Sequence, residues 1–577
     1  MRIDAPLLRW TRAGTGAFQD ALFLTSITVL SFAWYVRDLG FYLDDYSFMR
    51  VLSQARSHSF SGLFSALNAG APKAQMRPMQ IATLAALYRF FGPHPHAYHI
   101  FNGIVLVGGV LLLYFVLREL GQTRLISVGA AVLYATVPHF STDRFWVAAF
   151  QANLSMTLYL LSQYAALRAL RATGRRWWGW AILALVTAVG SVLAYEVALP
   201  LFLLTPFLLI WYARRLPSQE EGMTRGRPQL LLGFSLLSLA AAVVAKIVVA
   251  VRVGHETSYQ LGVEGGMPHH LAYLVSGSLK VNVGSYGLGL PYIVGWIATH
   301  QLKPVVAILS LVAGIAVFTY LWHLARRQGG ELPSARDAKR LIAAGIVVFI
   351  LGYAVFVTNN EIFFTSAGVD NRVNIAAAVG VALIVVGLVA WIGAVLPPRL
   401  RQVGFALGLG LLATTGFFIV NSLASFWIQA ARKQDKVIAE VQASLPPQAG
   451  PSTLLVDGLC PEIGPAIVFT TQYDITGALF LKLRDPDLTA AVVSPFVQIG
   501  QRSLSISNFF NGHRTSQRTY PYGQTTFVYN YETKRLSRLA DAQNTRHYFR
   551  RLRAPLDCPA VRSFIWDIPT KWHRFTA

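Results

Sequence analysis

Residues 374–396 read NIAAAVGVALIVVGLVAWIGAVL. The run contains no charged residue, and as a helix it is long enough to cross a hydrocarbon core of roughly 30 Å. Similar runs recur along the 577-residue chain, in which 54% of the residues are hydrophobic and 13% are charged. This composition predicts an α-helical polytopic membrane protein.

Length and apolar character predict about eleven transmembrane helices. They are expected at residues 18–36, 97–117, 125–138, 145–167, 177–194, 197–213, 229–251, 303–323, 341–357, 374–396 and 403–425. The apolar run Tyr286 to Ala298 is too short to span comfortably and is interpreted as an interfacial or re-entrant helix.

Basic residues cluster in alternate loops, which predicts that those loops are cytoplasmic by the positive-inside rule. The other set of loops then faces outward, including two long ones at about residues 37–96 and 252–302. An odd number of spans also places the C-terminal segment outside. Residues 1–428 are predicted to form the transmembrane domain and residues 429–577 an extracytoplasmic domain.

The sequence pattern of the C-terminal segment is typical of a small mixed α/β domain. Short β-type runs such as Thr453–Val456 and Thr525–Tyr529 are separated by Pro, Gly and Asn. The two cysteines of the chain, Cys460 and Cys558, both lie here, and an oxidising compartment would let them pair. Two free thiols are the alternative.

Net charge gives no indication of nucleic-acid binding. The formal charge is +23, but many of the basic residues lie in the predicted cytoplasmic loops, where they set topology and meet anionic lipids. No nucleic-acid-binding motif is present. The Asn-x-Ser/Thr triplet Asn153-Leu154-Ser155 lies inside a predicted span, which favours a bacterial cytoplasmic membrane with a periplasmic or extracellular C-terminal domain.

Asp44 and Asp45 are adjacent in the first outward loop. One interpretation is a general base at the membrane surface. The other is an N-cap for a helix that starts near Tyr46.

The order of motifs in the first 215 residues or so resembles the GT-C superfamily of membrane glycosyltransferases, and within it the protein O-mannosyltransferase-related branch. The similar motifs are Asp44-Asp45-Tyr46, Arg77-Pro78-Met79, His96 to Asn102, Val137-Pro138-His139 with Asp143 and Trp146, and Leu193 to Glu196 with Pro200. The chain departs from that branch at Tyr195, where the branch has lysine, in its C-terminal domain, and in lacking the tetratricopeptide repeats of eukaryotic members.

The resemblance implies a sugar donor linked to a polyprenyl phosphate, transfer at the outer membrane surface and inversion at the anomeric carbon. The acceptor would be an envelope glycan, a lipid or a protein. Such a reaction needs a base for the acceptor hydroxyl, and we expect Asp44 in that role and Asp45 in acceptor orientation or at an optional divalent metal. No cofactor is expected to be required.

The departing phosphate needs positive charge, for which Arg77, Arg144 and Arg372 are the outward candidates. His99 is a further candidate for the phosphate. The alternatives are a helix-end contact for Arg77, an ion pair with Asp143 for Arg144, and snorkelling or an ion pair with Asp370 for Arg372.

Glu196 and Asp143 are additional substrate-site candidates. Glu196 lies between two apolar runs, where an ionisable group is costly unless it is paired or functional, although the turn could simply be solvated. Lys246 is expected to snorkel without a further role. The non-enzymatic alternative for the whole chain is a flippase or transporter of lipid-linked sugars, but such proteins usually place polar groups at the membrane midplane.

Overall fold

The computed structural model describes residues 14–215, 227–253, 266–327, 332–359, 362–446, 450–494, 496–510 and 513–551. Up to residue 444 the structure is helical. In chain order the helices are α1 (Gly14–Ala33), α2 (Asp44–Ser53), α3 (Phe60–Gly70), α4 (Pro78–Phe91), α5 (Pro95–Glu119), α6 (Arg124–Thr136), α7 (Thr142–Phe145), α8 (Phe150–Arg171), α9 (Gly174–Ala194), α10 (Thr205–Ala213), α11 (Arg227–Val253), α12 (Met267–Leu279), α13 (Leu290–His300), α14 (Pro304–Arg327), α15 (Ala335–Ala354), α16 (Ile375–Val395) and α17 (Pro398–Ser444).

Nine helical segments in the described part of the chain are long and apolar enough to cross a membrane. The two other predicted spans correspond to α6, which has 13 residues, and to α8, whose buried face carries polar side chains such as Gln151 and Asn153. The predicted polytopic helical architecture is confirmed. The run Tyr286 to Ala298 lies within a longer broken segment, in which a π-helical stretch, Lys280–Leu288, joins α12 to α13.

Small residues bring α15 and α16 close together. A Cβ atom added to Gly352 would lie 2.5 Å from the backbone nitrogen of Ala377, and one added to Gly380 would lie 2.5 Å from that of Phe349. Such close approach of backbones is how membrane helices gain packing contacts without a hydrophobic driving force. The contact fixes the N-terminal part of α16, which a 3₁₀ turn, Val369–Asn374, precedes.

The C-terminal domain begins on a helix that continues from the membrane. Helix α17 is 47 residues long and passes through residue 428, the predicted domain boundary. The elements that follow are β1 (Ser452–Asp457), β2 (Glu462–Ile463), β3 (Ala466–Ile467), α18 (Gln472–Leu483), β4 (Leu488–Val492), β5 (Val497–Ile499), β6 (Ser503–Phe510), β7 (His513–Pro521), β8 (Thr526–Asn530), β9 (Arg535–Arg538) and α19 (Ala542–Arg551).

The main sheet of this domain has the strand order β4-β1-β8-β9. Strand β1 pairs in parallel with β4 and β8, whereas β9 is antiparallel to β8. The predicted mixed α/β domain is therefore present. Cys460 is disulfide-bonded. Cys558 lies outside the described residues, so the Cys460–Cys558 pairing stays a prediction.

Helix α18 packs lengthwise on α2 of the first outer loop. A Cβ added to Gly477 would lie 2.6 Å from the carbonyl oxygen of Tyr46, and further along Arg484 Nη1 donates to Ser53 Oγ at 2.6 Å. Both contacts advance in the same chain direction, so the two helices are parallel. Their N-terminal ends consequently meet.

Candidate functional site

Five segments that follow different helices converge on one side of the helical bundle. They contribute Asp44, Arg77, Trp146, Tyr195 and Arg372, which we call the loop cluster. Arg372 interacts electrostatically with Asp44 and Tyr195, and its guanidinium lies over Trp146. Arg77 lies over the other aromatic ring of the cluster, that of Tyr195. Residues that are far apart in sequence thus form one site.

The two adjacent aspartates occupy different environments. Asp45 is 0% exposed, and its carboxylate accepts hydrogen bonds from the backbone amides of Tyr42, at 2.9 Å, and Ala148, at 2.6 Å. Asp44 is partly exposed and lies within electrostatic range of Arg372. Adjacent residues on a helix point about 100° apart, which separates the two carboxylates. Asp45 therefore fixes the loop, and Asp44 is the more exposed of the two carboxylates.

Burial also raises the pKa of Asp45 well above its usual range, against the opposing effect of the two backbone hydrogen bonds.

Neither Asp44 nor Asp45 is the N-cap residue of helix α2. Helix α2 begins at Asp44, its N-cap is Leu43, and no side chain caps it.

Leu43 has an unusual backbone conformation, with φ 46° and ψ −117°. A positive φ is strained for a bulky residue with a Cβ atom, and such strain collects at functional sites. The surrounding contacts hold it, because the side chain of Leu43 is 3% exposed and the Trp146 indole nitrogen donates to the Tyr42 carbonyl at 3.0 Å. The strained residue directly precedes Asp44 and sets where that carboxylate points.

Arg372 is held from several sides. Its guanidinium carbon lies 5.1 Å from the centre of the Trp146 ring. Besides Asp44, it interacts with Asp370 and Asp143. Asp143 is 0% exposed, and within the described residues neither of its carboxyl oxygens has a hydrogen-bond partner. Burial raises the pKa of Asp143, while the positive charges of Arg372 and Arg144 oppose that rise.

A second set of charges adjoins Tyr195. The Arg77 guanidinium carbon lies 4.4 Å from the centre of the Tyr195 ring, and Arg77 Nε is 3.4 Å from Glu196 Oε2. The other oxygen of Glu196 accepts a hydrogen bond from Lys246 at 2.5 Å. The Lys246 side chain is only 8% exposed. Glu196 is therefore paired with two cations, and Lys246 is not a snorkelling residue.

Arg144 and His99 contact backbone carbonyl groups. Arg144 is buried, and its guanidinium donates to the carbonyl oxygens of Ala135 and Val137, at 2.8 Å and 3.3 Å. His99 Nε2 is 2.9 Å from the carbonyl oxygen of Gly40. Both side chains line a cavity of about 10 Å³ inside the bundle. The structure brings Arg77 and Arg372 together and leaves Arg144 and His99 in structural contacts.

A large apolar groove opens beside the site. Its volume is about 790 Å³. The lining comes from α6, α12, α15, α16, α17 and the π-helical stretch, and includes Leu274, Phe349, Ile350, Val385 and Leu412. The lining also includes His139 and Tyr286, whose rings are 4.6 Å apart. His139 belongs to the 3₁₀ turn Pro138–Phe140, only a few residues before Asp143 and Trp146. The groove is therefore lined in part by the segment that leads to the residues around Arg372.

Metal ligands do not gather at the site. Among the described residues no group of three or more His, Cys, Asp or Glu could hold a metal ion.

Sequence reasoning missed three contributors to the site, which are Lys246, Trp146 as the partner of Arg372, and Tyr473 of the C-terminal domain. Its hydroxyl lies within hydrogen-bonding reach of Asp44. A buried lysine in an apolar run was the available signal for Lys246, since such a residue requires a partner. No local signal marked Tyr473, because it lies in a different domain.

No protein family description and no curated protein matches the sequence. Among solved structures, the chain is similar to ArnT from Cupriavidus metallidurans bound to undecaprenyl phosphate, with 16% identity over 81% of this chain and 85% of that chain and a TM-score of 0.35. The apo state of the same protein gives 14% identity over 81% and 85% and a TM-score of 0.33. An oligosaccharyltransferase from Archaeoglobus fulgidus tethered to an acceptor peptide gives 15% identity, covering 77% of this chain and 62% of that one, with a TM-score of 0.33.

Proposed function

We propose that the protein is a membrane glycosyltransferase that moves a sugar from a polyprenyl-phosphate donor to a hydroxyl acceptor at the outer membrane surface. The observation that carries the proposal is the electrostatic pairing of a substrate-accessible carboxylate, Asp44, with a guanidinium, Arg372, beside an apolar groove. The motif resemblance in the first 215 residues or so supports the same reaction.

Asp44 acts as the general base. It removes the proton of the acceptor hydroxyl as the acceptor oxygen attacks the anomeric carbon. The bond between that carbon and the phosphate oxygen breaks, so the configuration inverts and polyprenyl phosphate leaves. A positioned carboxylate base contributes about 10²–10⁴-fold to such a step.

Arg372 and Arg77 stabilise the departing phosphate. Arginine presents a fork of N–H donors that matches phosphate oxygens, and both side chains are pre-oriented on aromatic rings. Fixed cationic donors need little reorganisation as charge develops on the leaving group. Glu196 pairs with both Arg77 and Lys246. Glu196 and Lys246 position Arg77 and take no direct part in the reaction.

The apolar groove accommodates the polyprenyl chain of the donor. A site for a small ligand typically measures about 300–1,000 Å³, and the groove volume of about 790 Å³ falls in that range. Its lining is almost entirely apolar, and two of its polar lining residues, His139 and Tyr286, are in ring contact near the segment that leads to Asp143 and Trp146. A lipid phosphate whose tail lay in the groove would present its headgroup toward the cluster.

We place the protein in a bacterial cytoplasmic membrane with its C-terminal domain outside, on the basis of the alternating basic loops. The acceptor would be an envelope glycan, lipid or protein. A flippase or transporter is the competing function. The position of the charged cluster among outer loops supports the enzyme, since transporters place such groups near the midplane.

The proposal is tested by incubating the purified protein with a panel of undecaprenyl-phosphate sugars and an extract of envelope acceptors. Release of undecaprenyl phosphate together with a glycosylated acceptor would support it. Movement of intact donor across proteoliposomes without release of undecaprenyl phosphate would establish the transporter instead.

A further inference from the structure

The C-terminal domain reaches the candidate active site through Tyr473. This residue belongs to the first turn of α18, and its hydroxyl lies within hydrogen-bonding reach of Asp44. Tyr473 is 42% exposed. A residue from the outer domain therefore touches the carboxylate to which we assigned the base role.

Close packing between the two helices fixes this contact. Gly477 leaves no room for a Cβ atom against Tyr46, with 2.6 Å to its carbonyl oxygen and 2.7 Å to its carbonyl carbon. On the same side, the Arg50 guanidinium carbon lies 5.5 Å from the centre of the Phe480 ring. Tyr46 is level with Gly477, and Ser53 is level with Arg484. Because the helices are parallel, Tyr473 starts two residues, about 3 Å along the axis, before the level of Asp44, a distance that a tyrosine side chain can bridge.

The first turn of α18 is itself held rigidly. Thr471 and Asp474 form a reciprocal capping box, and Asp474 also accepts from the backbone amides of Thr470, at 2.8 Å, and Ile475, at 2.6 Å. Burial raises the pKa of Asp474 to about 7, although these hydrogen bonds oppose the rise.

The chemistry of the phenol sets the direction of the hydrogen bond. Loss of solvent and the nearby carboxylates of Asp44 and Asp474 raise the pKa of Tyr473 well above its usual range. The hydroxyl consequently stays protonated and donates its proton to the Asp44 carboxylate. A hydrogen bond of this kind favours the ionised form of the acid, which is the form that a base requires.

We propose that Tyr473 is a positioning residue that orients the Asp44 carboxylate, so that the C-terminal domain completes the active site. The proposal rests on the proposed function. It gives the outer domain a role in catalysis that the membrane domain cannot fill by itself, because the tyrosine that holds the base belongs to α18.

The test uses the full-length protein in detergent and compares the variants Tyr473→Phe, Asp44→Ala and the double variant. Tyr522→Phe is the control, since its hydroxyl binds the Gly500 carbonyl at 3.0 Å within the C-terminal domain. Thermal unfolding of these variants first tests the contact between Tyr473 and Asp44, without depending on enzymatic activity. We expect the double variant to lose no more stability than the more damaged single variant, because both substitutions remove the same hydrogen bond.

Transfer of sugar from the undecaprenyl-phosphate donors is then followed against pH. We expect Tyr473→Phe to move the acidic limb of the kcat/KM profile upward by roughly one pH unit, because the ionised form of Asp44 has lost a donor. We also expect transfer at neutral pH to slow about tenfold, because the carboxylate is no longer held in one orientation. Tyr522→Phe should leave the profile in place.

Additive losses of stability in the double variant would overturn the contact. If the losses of stability are not additive but the acidic limb of the kcat/KM profile does not move, Tyr473 only tethers the domain. That result would overturn the positioning role. Absence of transfer by the wild-type protein would refute the proposed function and the positioning role together, while the unfolding data would still report the contact.

Discussion

The guanidinium of Arg372 lies over the Trp146 ring, 5.1 Å from its centre, and interacts electrostatically with Asp44. The arginine comes from the turn before α16, the tryptophan from the segment after α7, and the aspartate from the start of α2. A charge partner, an aromatic support and a carboxylate are thus brought together from three loops, which is the arrangement that transfer of a phosphate-linked sugar needs.

Substitution of Arg372 should act mainly on the donor phosphate. We expect Arg372→Ala to lower kcat/KM for the lipid donor by about 10²–10³-fold, a loss typical for a fixed donor at a developing charge. Arg372→Lys should retain more of the wild-type kcat/KM than Arg372→Ala but not all of it, because lysine keeps the charge and lacks the planar fork of N–H donors. Steady-state kinetics with varied donor measures both.

Arg340→Ala is the matched control for this prediction, because Arg340 lies on the surface and pairs with Asp337 one turn earlier on the same helix. Equal losses in Arg340→Ala and Arg372→Ala would contradict a specific phosphate role.

Lys246 should matter to stability through Glu196. The two side chains are 2.5 Å apart, and they are 8% and 25% exposed. Removing one member of such a pair leaves a poorly solvated charge, so Lys246→Met should destabilise the protein by about 3 kcal/mol, the low end for a buried pair because Glu196 keeps some solvent. Thermal unfolding of Lys246→Met and of Lys246→Met combined with Glu196→Gln checks the cause. The second substitution should restore most of the stability, and a further drop would argue against the pairing.

Gly477→Ala should weaken the docking of α18 on α2. Alanine normally favours a helix over glycine by up to about 1 kcal/mol, but here its Cβ would lie 2.6 Å from the Tyr46 carbonyl oxygen, and overpacking costs about 1–3 kcal/mol. We therefore expect net destabilisation and slower transfer, measured by thermal unfolding and kinetics. Gly295→Ala is the control, since no atom lies within 4 Å of a Cβ at that helical position. Similar behaviour of the two variants would refute the close contact.

Acid should stabilise the junction between the C-terminal domain and the membrane domain. Burial, and secondarily the carboxylate of Asp370, raises the pKa of Glu462 from 4.5 to about 7. The folded protein therefore holds a proton that the unfolded chain has released between these two values, so this group makes stability fall as the pH rises through that window. Thermal unfolding between about pH 4 and about pH 8 should show this trend, and Glu462→Gln should weaken it and raise the melting temperature at the alkaline end. An unchanged pH dependence in Glu462→Gln would exclude this carboxyl as a source.

Much of the fold follows from hydropathy. Long apolar runs indicate a membrane environment, which is why the membrane helices could be predicted from the sequence. Hydropathy does not indicate which side chains contact each other in the folded chain. The contact of Asp45 with the amide of Ala148, that of Lys246 with Glu196, and that of Tyr473 with Asp44 all join distant segments. They depend on how the helices pack, and neither composition nor local spacing records that.

For the same reason, the sequence could not distinguish the roles of the three candidate arginines. Arg77, Arg144 and Arg372 are equivalent as outward basic residues in the sequence. In the structure Arg144 is buried and satisfies two main-chain carbonyl groups, whereas Arg77 and Arg372 each lie over an aromatic ring of one cluster. Burial and orientation, which arise only in the folded chain, separate a structural arginine from a candidate ligand.

The most direct test of the account compares Asp44→Asn and Asp45→Asn with the wild-type protein in transfer from a defined undecaprenyl-phosphate sugar. An amide keeps the shape of the carboxylate but cannot accept the acceptor's proton, so Asp44→Asn should remain folded and lose transfer by about 10²–10⁴-fold. Asp45→Asn should instead lower thermal stability, because Asp45 is buried and bound to two backbone amides. Near-full transfer by Asp44→Asn with the same donor would contradict the assignment of Asp44 as the base.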